Sequence, residues 1–192
     1  MNELRDFLAV SDVIDWQDEQ IVRLAATLAD GAQDDETIAR RTFEWVRDNI
    51  EHSTDFGRSE VTCRASEVLK VGTGFCYAKS HLLAALMRAN GIPCGFCYQR
   101  LSMSGTGSPY CLHGLNAVFM KQHGWYRIDA RGNTDAIHAE FLPPQERLAF
   151  AISVEGETDL LEIRPEPLPL VVDALCNADS AKSFAANLPD MP

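Results

Sequence analysis

The pattern of apolar residues changes from helical to strand-like at Gly91-Ile92-Pro93. Before this point apolar residues recur with the 3.6-residue period of amphipathic helices, and the segments from there to residue 163 have the character of strands. Gly91 stops the preceding helix, and Pro93 prevents its continuation. Helices are predicted over residues 16–30, 35–50 and 76–90, and strands over residues 94–101, 112–120 and 125–130, with edge strands over 148–154 and 160–163. Helices followed by an antiparallel sheet indicate an α+β fold, with the helices packed on the sheet.

Three parts are expected along the chain. Residues 1–34 form an N-terminal helical segment, in which Asp15 caps the first helix and Gly31 ends it. Residues 35–164 form the core. Residues 165–192 form a C-terminal helical extension that opens with a proline-rich spacer and a helix from about residue 169 to 178.

The net charge of −11 argues against a nucleic-acid partner, because a protein that binds phosphates needs a basic face. The acidity serves solubility or favours cationic substrates. No stretch approaches the roughly 18 apolar residues that span a bilayer, and residues 1–10 lack the basic region and apolar core of a secretion signal. We therefore expect no membrane partner and a cytoplasmic location, where the six cysteines are mostly reduced thiols.

Cys76 lies where the glycine-rich run Gly72-Thr73-Gly74-Phe75 meets the helix over residues 76–90. A helix N-terminus lowers the pKa of a thiol, and the reactive form of cysteine is the thiolate. Gly74 is expected to let the backbone turn sharply and to leave space for a substrate. The backbone N–H of Cys76 is a candidate oxyanion donor, because first-turn N–H groups lack helical partners. The alternative is that Cys76 is a small buried apolar residue, which is the commoner role of a cysteine at a helix start.

His113 and Asp129 lie on successive predicted strands and supply the other two groups that a cysteine nucleophile needs, a base and a residue that orients the base. Both numbers are odd, so an antiparallel pair of even register projects the two side chains from one face. If His113 and Asp129 lie directly opposite each other, Phe119 must face His123. Gly124 suggests that the turn falls slightly later. An odd register would separate the two side chains, leaving a polar residue at a strand end and an aspartate in a turn.

Three blocks of sequence resemble the motifs of the transglutaminase-like superfamily, including its short bacterial members. The run from Gly74 through Cys76 to Pro93 resembles its G-x-C helix start followed by R-A-x-G-I-P. The block 113–118 is similar to its H-x-W-N-x-V motif, and the block 125–129 is similar to its W-x-x-V-D motif. The three blocks occur in order across residues 65–132, and shorter similarities extend the resemblance over nearly all the chain after Asp35.

The resemblance implies a papain-like α+β fold with Cys76 as nucleophile, His113 as base and Asp129 as the residue that orients it. It implies a peptide, protein or small amide substrate, which water or an amine releases from a thioester, and it implies no cofactor. We expect hydrolysis first. Amine-accepting acyl transfer and a noncatalytic binding module on the same fold are the alternatives. Leu115 stands where many members have tryptophan, and Arg131 where many have threonine.

A second oxyanion donor is expected upstream of the thiol, and His52 and Asn49 are the candidates. Arg131 is expected to pair with Asp135 or Glu140, or with an acidic group of the substrate. Cys94 and Cys97 form a C-x-x-C in a predicted strand, where residues three apart point to opposite faces. Shared metal ligation is therefore disfavoured, and no metal site is expected.

Overall fold

The structure is a computed structural model that describes residues 3–191, and Met1, Asn2 and Pro192 lie outside the described residues. The helices are α1 (Glu3–Asp6), α2 (Glu19–Ala29), α3 (Asp35–Asn49), α4 (Ala65–Val71), α5 (Cys76–Ala89), α6 (Pro169–Cys176) and α7 (Ala181–Ala186). The strands are β1 (Glu51–His52), β2 (Thr73–Gly74), β3 (Cys94–Ser102), β4 (Tyr110–Met120), β5 (Gly124–Ile128), β6 (Glu140–Leu142), β7 (Gln145–Arg147) and β8 (Thr158–Arg164). Within residues 3–191, no helix combines the length and the apolar character that crossing a membrane requires.

Helix α5 is the centre of the molecule. Every residue from Cys76 to Arg88 is buried. The helix packs on β3 and β4 on one side and on α2, α3 and α4 on the other. A helix that is apolar on most of its surface is stable only when other elements cover all of its faces. The first residue of this helix, Cys76, is therefore held in a fixed position by the whole core.

The main sheet has four strands in the order β5-β4-β3-β8, and every neighbouring pair is antiparallel. The predicted α+β class, with helices packed on an antiparallel sheet, is confirmed. The β4–β5 register is also even, as the same-face argument for His113 and Asp129 requires. Phe119 lies opposite Trp125 instead of His123, because the turn falls one residue later. Gly124 opens β5 with a φ of 69°, which glycine adopts at little cost.

Helix α2 begins at Glu19, three residues later than predicted, because its cap is Asp18 and not Asp15. The Asp18 carboxylate accepts hydrogen bonds from the backbone N–H groups of Gln20 at 2.8 Å and Ile21 at 3.3 Å. Asp15 instead accepts a hydrogen bond of 2.5 Å from the hydroxyl of Ser66. A local sequence pattern does not reveal which of two nearby aspartates caps the helix, because the hydrogen bond that occupies Asp15 comes from a residue 51 positions away.

The segments after β5 differ from the prediction. The predicted edge strand over residues 160–163 is present as β8, but residues 148–154 form no strand. A short hairpin of β6 and β7 precedes them, which the sequence pattern did not predict. Ala149 explains the difference in part, because its N–H donates to the Asp129 carboxylate and is therefore not available to a strand ladder.

Candidate active site

Cys76 is the first residue of α5, and 9% of its surface is exposed. It lies in a cleft of about 550 Å³ that His52 and His113 also line. The backbone N–H groups of a first helical turn have no partner within their own helix. The thiol and at least one backbone donor are therefore present at the same point of the cleft.

Gly74 does not face this cleft, contrary to the prediction that it leaves space for a substrate. A Cβ atom at this position would lie 3.0 Å from the Ala78 Cβ and 3.1 Å from the Thr62 Oγ1. Gly74 is required because the first turn of α5 packs directly against β2. Its role is to set the position of the Cys76 helix, and it contributes no group to the cleft.

The His113 ring is held by two contacts. Its Nε2–H donates to Asp129 Oδ2 at 2.8 Å, and the edge of the ring meets Phe150 with centroids 4.9 Å apart and planes at 87°. The Asp129 carboxylate also accepts from the backbone N–H groups of Arg131 and Ala149, each at 3.1 Å. This arrangement leaves the opposite ring nitrogen, Nδ1, to interact with the thiol.

The approach of helix α5 to strand β4 depends on Gly114. A Cβ atom at this position would lie 2.8 Å from the Tyr77 Cδ1 and 3.3 Å from the Tyr77 Cα, so any larger residue would force the helix away. The Tyr77 hydroxyl also donates to the carbonyl of Leu112. These contacts join the residue after Cys76 to the residues on both sides of His113.

The charges of Cys76 and His113 support each other. Burial raises the pKa of the Cys76 thiol, but the charge of His113 and hydrogen bonding with His113 and His52 outweigh burial and bring this pKa below its ordinary value. Burial lowers the pKa of His113, but the charges of Asp129 and Cys76 outweigh it and raise this pKa. The lowered pKa of Cys76 and the raised pKa of His113 favour a thiolate–imidazolium pair, in which the cysteine is in its nucleophilic form.

His52 brings a second imidazole to the thiol. It pairs with Gly74 in the parallel ladder of β1 and β2, two residues before Cys76. Its ring meets Phe75 edge-on with centroids 5.8 Å apart, and its Nδ1 lies 3.5 Å from Asp55 Oδ1. Contact with His52, followed by hydrogen bonds from Arg131, keeps the pKa of Asp55 well below its usual range against the effect of burial.

Arg131 pairs with Asp55, whereas Asp135 or Glu140 was predicted as its partner. Its two terminal nitrogens donate to the two carboxylate oxygens of Asp55 at 2.6 and 2.9 Å, a two-pronged geometry typical of arginine. Its guanidinium carbon also lies 5.7 Å from the centroid of the Phe150 ring. Asp55 was missed in the sequence, although its position three residues after His52 was an available signal.

Asn49 does not reach the cleft. It is the last residue of α3, is exposed, and donates from its side chain to the Trp45 carbonyl at 3.0 Å. Of the two upstream candidates for an oxyanion donor, only His52 lines the cleft.

Cys94 and Cys97 lie on opposite faces of the sheet. Cys94 is part of the main core, and Cys97 packs with Leu115 and Ala117 in a separate cluster. Both are free thiols. Across residues 3–191, no group of three or more histidine, cysteine or acidic side chains is arranged to hold a metal ion.

Comparisons with known proteins agree with the sequence motifs. The model of the transglutaminase-like superfamily matches residues 22–130. A crystal structure of a candidate cysteine protease from Cytophaga hutchinsonii superposes with a TM-score of 0.57 at 19% identity, over 68% of this chain and 43% of that one. The periplasmic domain of TgpA from Pseudomonas aeruginosa gives a TM-score of 0.47 at 16% identity, over 65% of this chain and 45% of the other.

A candidate protease from Parabacteroides distasonis gives a TM-score of 0.46 at 12% identity, over 86% of this chain and 30% of that one. This chain therefore spans less than half the length of each of these three structures. No curated protein matches the chain. Because the sequence identity is low, the first of the three superpositions supports the fold alone.

Proposed function

Because the chain belongs to the transglutaminase-like superfamily, we propose that it is a cysteine-nucleophile enzyme that hydrolyses an amide or peptide bond through a thioester. The observation that carries the proposal is the meeting of three features at one point of the structure. These are a thiol at a helix N-terminus, a second ring nitrogen of His113 left available to it, and a carboxylate of Asp129 that orients that ring at 2.8 Å.

In the first half of the reaction, the Cys76 thiolate attacks the carbonyl carbon of the substrate. The C=O electron pair moves to the oxygen, and the resulting oxyanion is stabilised by N–H donors. The C–N bond then breaks as the His113 imidazolium gives its proton to the leaving amine. The products of this half are a thioester on Cys76 and a neutral His113.

In the second half, neutral His113 takes a proton from water while the water oxygen attacks the thioester carbonyl. A second oxyanion forms at the same position and collapses, the C–S bond breaks, and the acid leaves. The thiolate and the imidazolium are regenerated together, so each cycle consumes one water molecule. Asp129 keeps the same ring nitrogen of His113 aimed at the reacting atoms in both halves.

His52 is the proposed second oxyanion donor. Its Nδ1 faces Asp55, so donation to the substrate falls to Nε2 on the other side of the ring. Asp55 is itself held by two hydrogen bonds from Arg131, so its contact with His52 Nδ1 helps to fix the orientation of the ring.

The test combines trapping of the acyl-enzyme with competition between water and an amine. An activated acyl ester is mixed with the protein, the reaction is quenched in acid, and the intact mass is measured. We expect one acyl adduct on Cys76 in the wild type and none there in Cys76→Ala, with the free acid as the main product. A fluorescent primary amine at millimolar concentration is expected to be incorporated only to a minor extent.

Three results would change the proposal in different ways. Undiminished turnover by Cys76→Ala would exclude the thiol as nucleophile. The amide of the added amine as the main product would favour the acyltransferase. The absence of an adduct with every acyl donor tried would favour a binding module.

A further inference from the structure

The wall of the cleft around Cys76 is mostly apolar. Its largest apolar side chains outside the helix start are Leu101, Met103, Leu112, Phe150, Val154 and Leu188. They come from four separate parts of the chain, so the apolar wall is not a by-product of one hydrophobic strand. The volume of about 550 Å³ lies within the range of pockets that hold small organic ligands.

The charged side chains at the same wall are already engaged. Both terminal nitrogens of Arg131 are bound to Asp55. Glu157 accepts a hydrogen bond from the Ser102 N–H at 3.0 Å through one oxygen and from the N–H groups of Ser153 and Val154 at 2.9 and 3.0 Å through the other. The charge of Arg131 is therefore balanced by Asp55, and both oxygens of Glu157 are already occupied by backbone donors.

Apart from His52, whose Nε2 is assigned to the oxyanion, the remaining polar groups at the wall are also engaged or neutral. The Ser102 hydroxyl donates to the carbonyl of Gly107 and accepts from its N–H at 3.0 Å. The charge of His113 is balanced by Asp129, and burial raises the pKa of the Cys111 thiol to about 11, which keeps it uncharged near neutral pH. A charged substrate group in this cleft would lose its hydration and would have to compete with the existing partners of these side chains, which is costly.

We propose that the acyl group this cleft accepts is uncharged and apolar, an aliphatic or aromatic chain and not a cationic or anionic one. The inference rests on the proposed function, since it names the substrate class of the same site. The acyl group, unlike the leaving amine, stays attached to the protein through both halves of the reaction. Its binding in the cleft therefore contributes to acylation and to deacylation.

The experiment uses four esters with one leaving group, p-nitrophenol, and different acyl groups. These are acetyl, hexanoyl, ω-aminohexanoyl and the adipoyl monoester, so that the last three share one chain length and differ in the charge at its end. Hexanoyl is expected to exceed acetyl in kcat/KM by about tenfold or more, and to exceed both charged chains by about 100-fold. Equal values for the three long chains, or a preference for the amino chain, would overturn the inference.

A substitution at the mouth of the cleft sharpens the test. Met103 is 46% exposed in the loop after β3, so Met103→Lys is expected to fold normally and to add a free cation to the wall. It should raise the adipoyl rate relative to hexanoyl about tenfold. The matched control is Leu161→Lys, because Leu161 is 92% exposed and lies outside the cleft, and it should leave all four rates unchanged.

The acetyl ester separates the two ways in which the proposals can fail. If acetyl forms an adduct on Cys76 but the long chains show no preference for the apolar one, the substrate class is wrong and the cysteine mechanism stands. If none of the four esters forms an adduct, the mechanism and the substrate class both fail.

Discussion

The sulfur of Cys76 is buried deeply enough that desolvation alone would keep it protonated. The other buried cysteines illustrate this, since burial raises the pKa of Cys94 and Cys97 to about 12. Cys76 differs because two imidazoles face it, and the charge of His113 more than offsets the cost of burial. The state of this thiol is therefore set by its partners and not by its exposure.

Alkylation against pH is the direct measurement of this difference. An unperturbed thiol is only about 1% ionised at pH ~6.5, and alkylation by iodoacetamide follows the ionised fraction. Because the pKa of Cys76 is lowered, its alkylation should persist in that range. His113→Ala removes the stabilising charge and should slow alkylation at this pH by about tenfold or more. Peptide mass mapping after a timed reaction gives the rate at each cysteine.

Cys111 and His52 supply the controls. Cys111 lines the same cleft with a raised pKa, so it should remain almost unlabelled while Cys76 reacts. His52→Ala should cost alkylation only a few-fold, because iodoacetamide forms no oxyanion, yet it should lower kcat for an ester by about 100-fold. Equal labelling of Cys76 and Cys111, unchanged by His113→Ala, would contradict the ion pair.

The individual site residues were predictable to different degrees. His113 and Asp129 lie on neighbouring strands and project from the same face whenever the register sum is even. A shift of the turn by one residue keeps the sum even, so the prediction still holds. The pairing of Arg131 with Asp55 was not predictable in this way, because it joins residues 76 positions apart through side chains alone. Long-range contacts of that kind leave no local period in a sequence.

The segment from Leu188 to Asp190 contributes Leu188 to the wall of the cleft and is attached to the sheet at two points. The carbonyl of Pro189 accepts a hydrogen bond of 2.7 Å from the N–H of Leu112, the residue before His113. The Asp190 carboxylate binds the Arg100 guanidinium through two hydrogen bonds of 2.8 and 2.7 Å. Leu188 lies in the cleft as a consequence.

Loosening this segment should weaken substrate binding more than it slows the chemical step. In Asp190→Asn the charge pairing with Arg100 is lost while the shape of the side chain is kept. We expect KM for the hexanoyl ester to rise several-fold with little change in kcat, and the free energy of unfolding to change little, because the pair is partly exposed. Hydrogen exchange of the Leu112 N–H should become faster, which reports the opening directly.

An exposed ion pair elsewhere gives the comparison. Lys121 and Asp35 lie 3.3 Å apart at the surface, away from the residues that line the cleft, so Lys121→Gln should change neither KM nor the exchange of Leu112. A fall in kcat for Asp190→Asn as large as the change in KM would mean that the segment acts on the chemistry and not on binding.

The order of helices and strands was largely predictable because each long element carries its own period. Helix α5 and strands β3 and β4 fall within a residue or two of their predicted limits. The hairpin of β6 and β7 was missed because its strands have three residues each, too few to display an alternation. The division into residues 1–34, 35–164 and 165–192 remains a prediction.

Arg88 connects parts of the molecule that are far apart in the chain. It is buried near the end of α5, and its guanidinium donates to the carbonyls of Ala9 at 2.7 Å and Cys94 at 2.9 Å, and also to that of Pro165. These carbonyls belong to the segment before α2, to the start of β3 and to the segment after β8. The arginine of the R-A-x-G-I-P motif thus has a structural role in this chain.

Arg88→Met keeps much of the apolar stem but removes a buried guanidinium and leaves three carbonyls without their donor, of which that of Cys94 belongs to a fully buried residue. It should reduce the free energy of unfolding by about 3 kcal/mol or more and Tm by roughly 10 °C, as measured by denaturant and thermal unfolding. Arg88→Lys should recover little of the lost stability, because one ammonium group does not have the span of the planar guanidinium.

Arg41→Met is the matched control, since Arg41 also donates to two backbone carbonyls, of Leu28 and Asp30, but is exposed. Its cost should stay below about 1 kcal/mol because water replaces the lost donor, and equal costs at the two positions would mean that burial does not decide the contribution of Arg88.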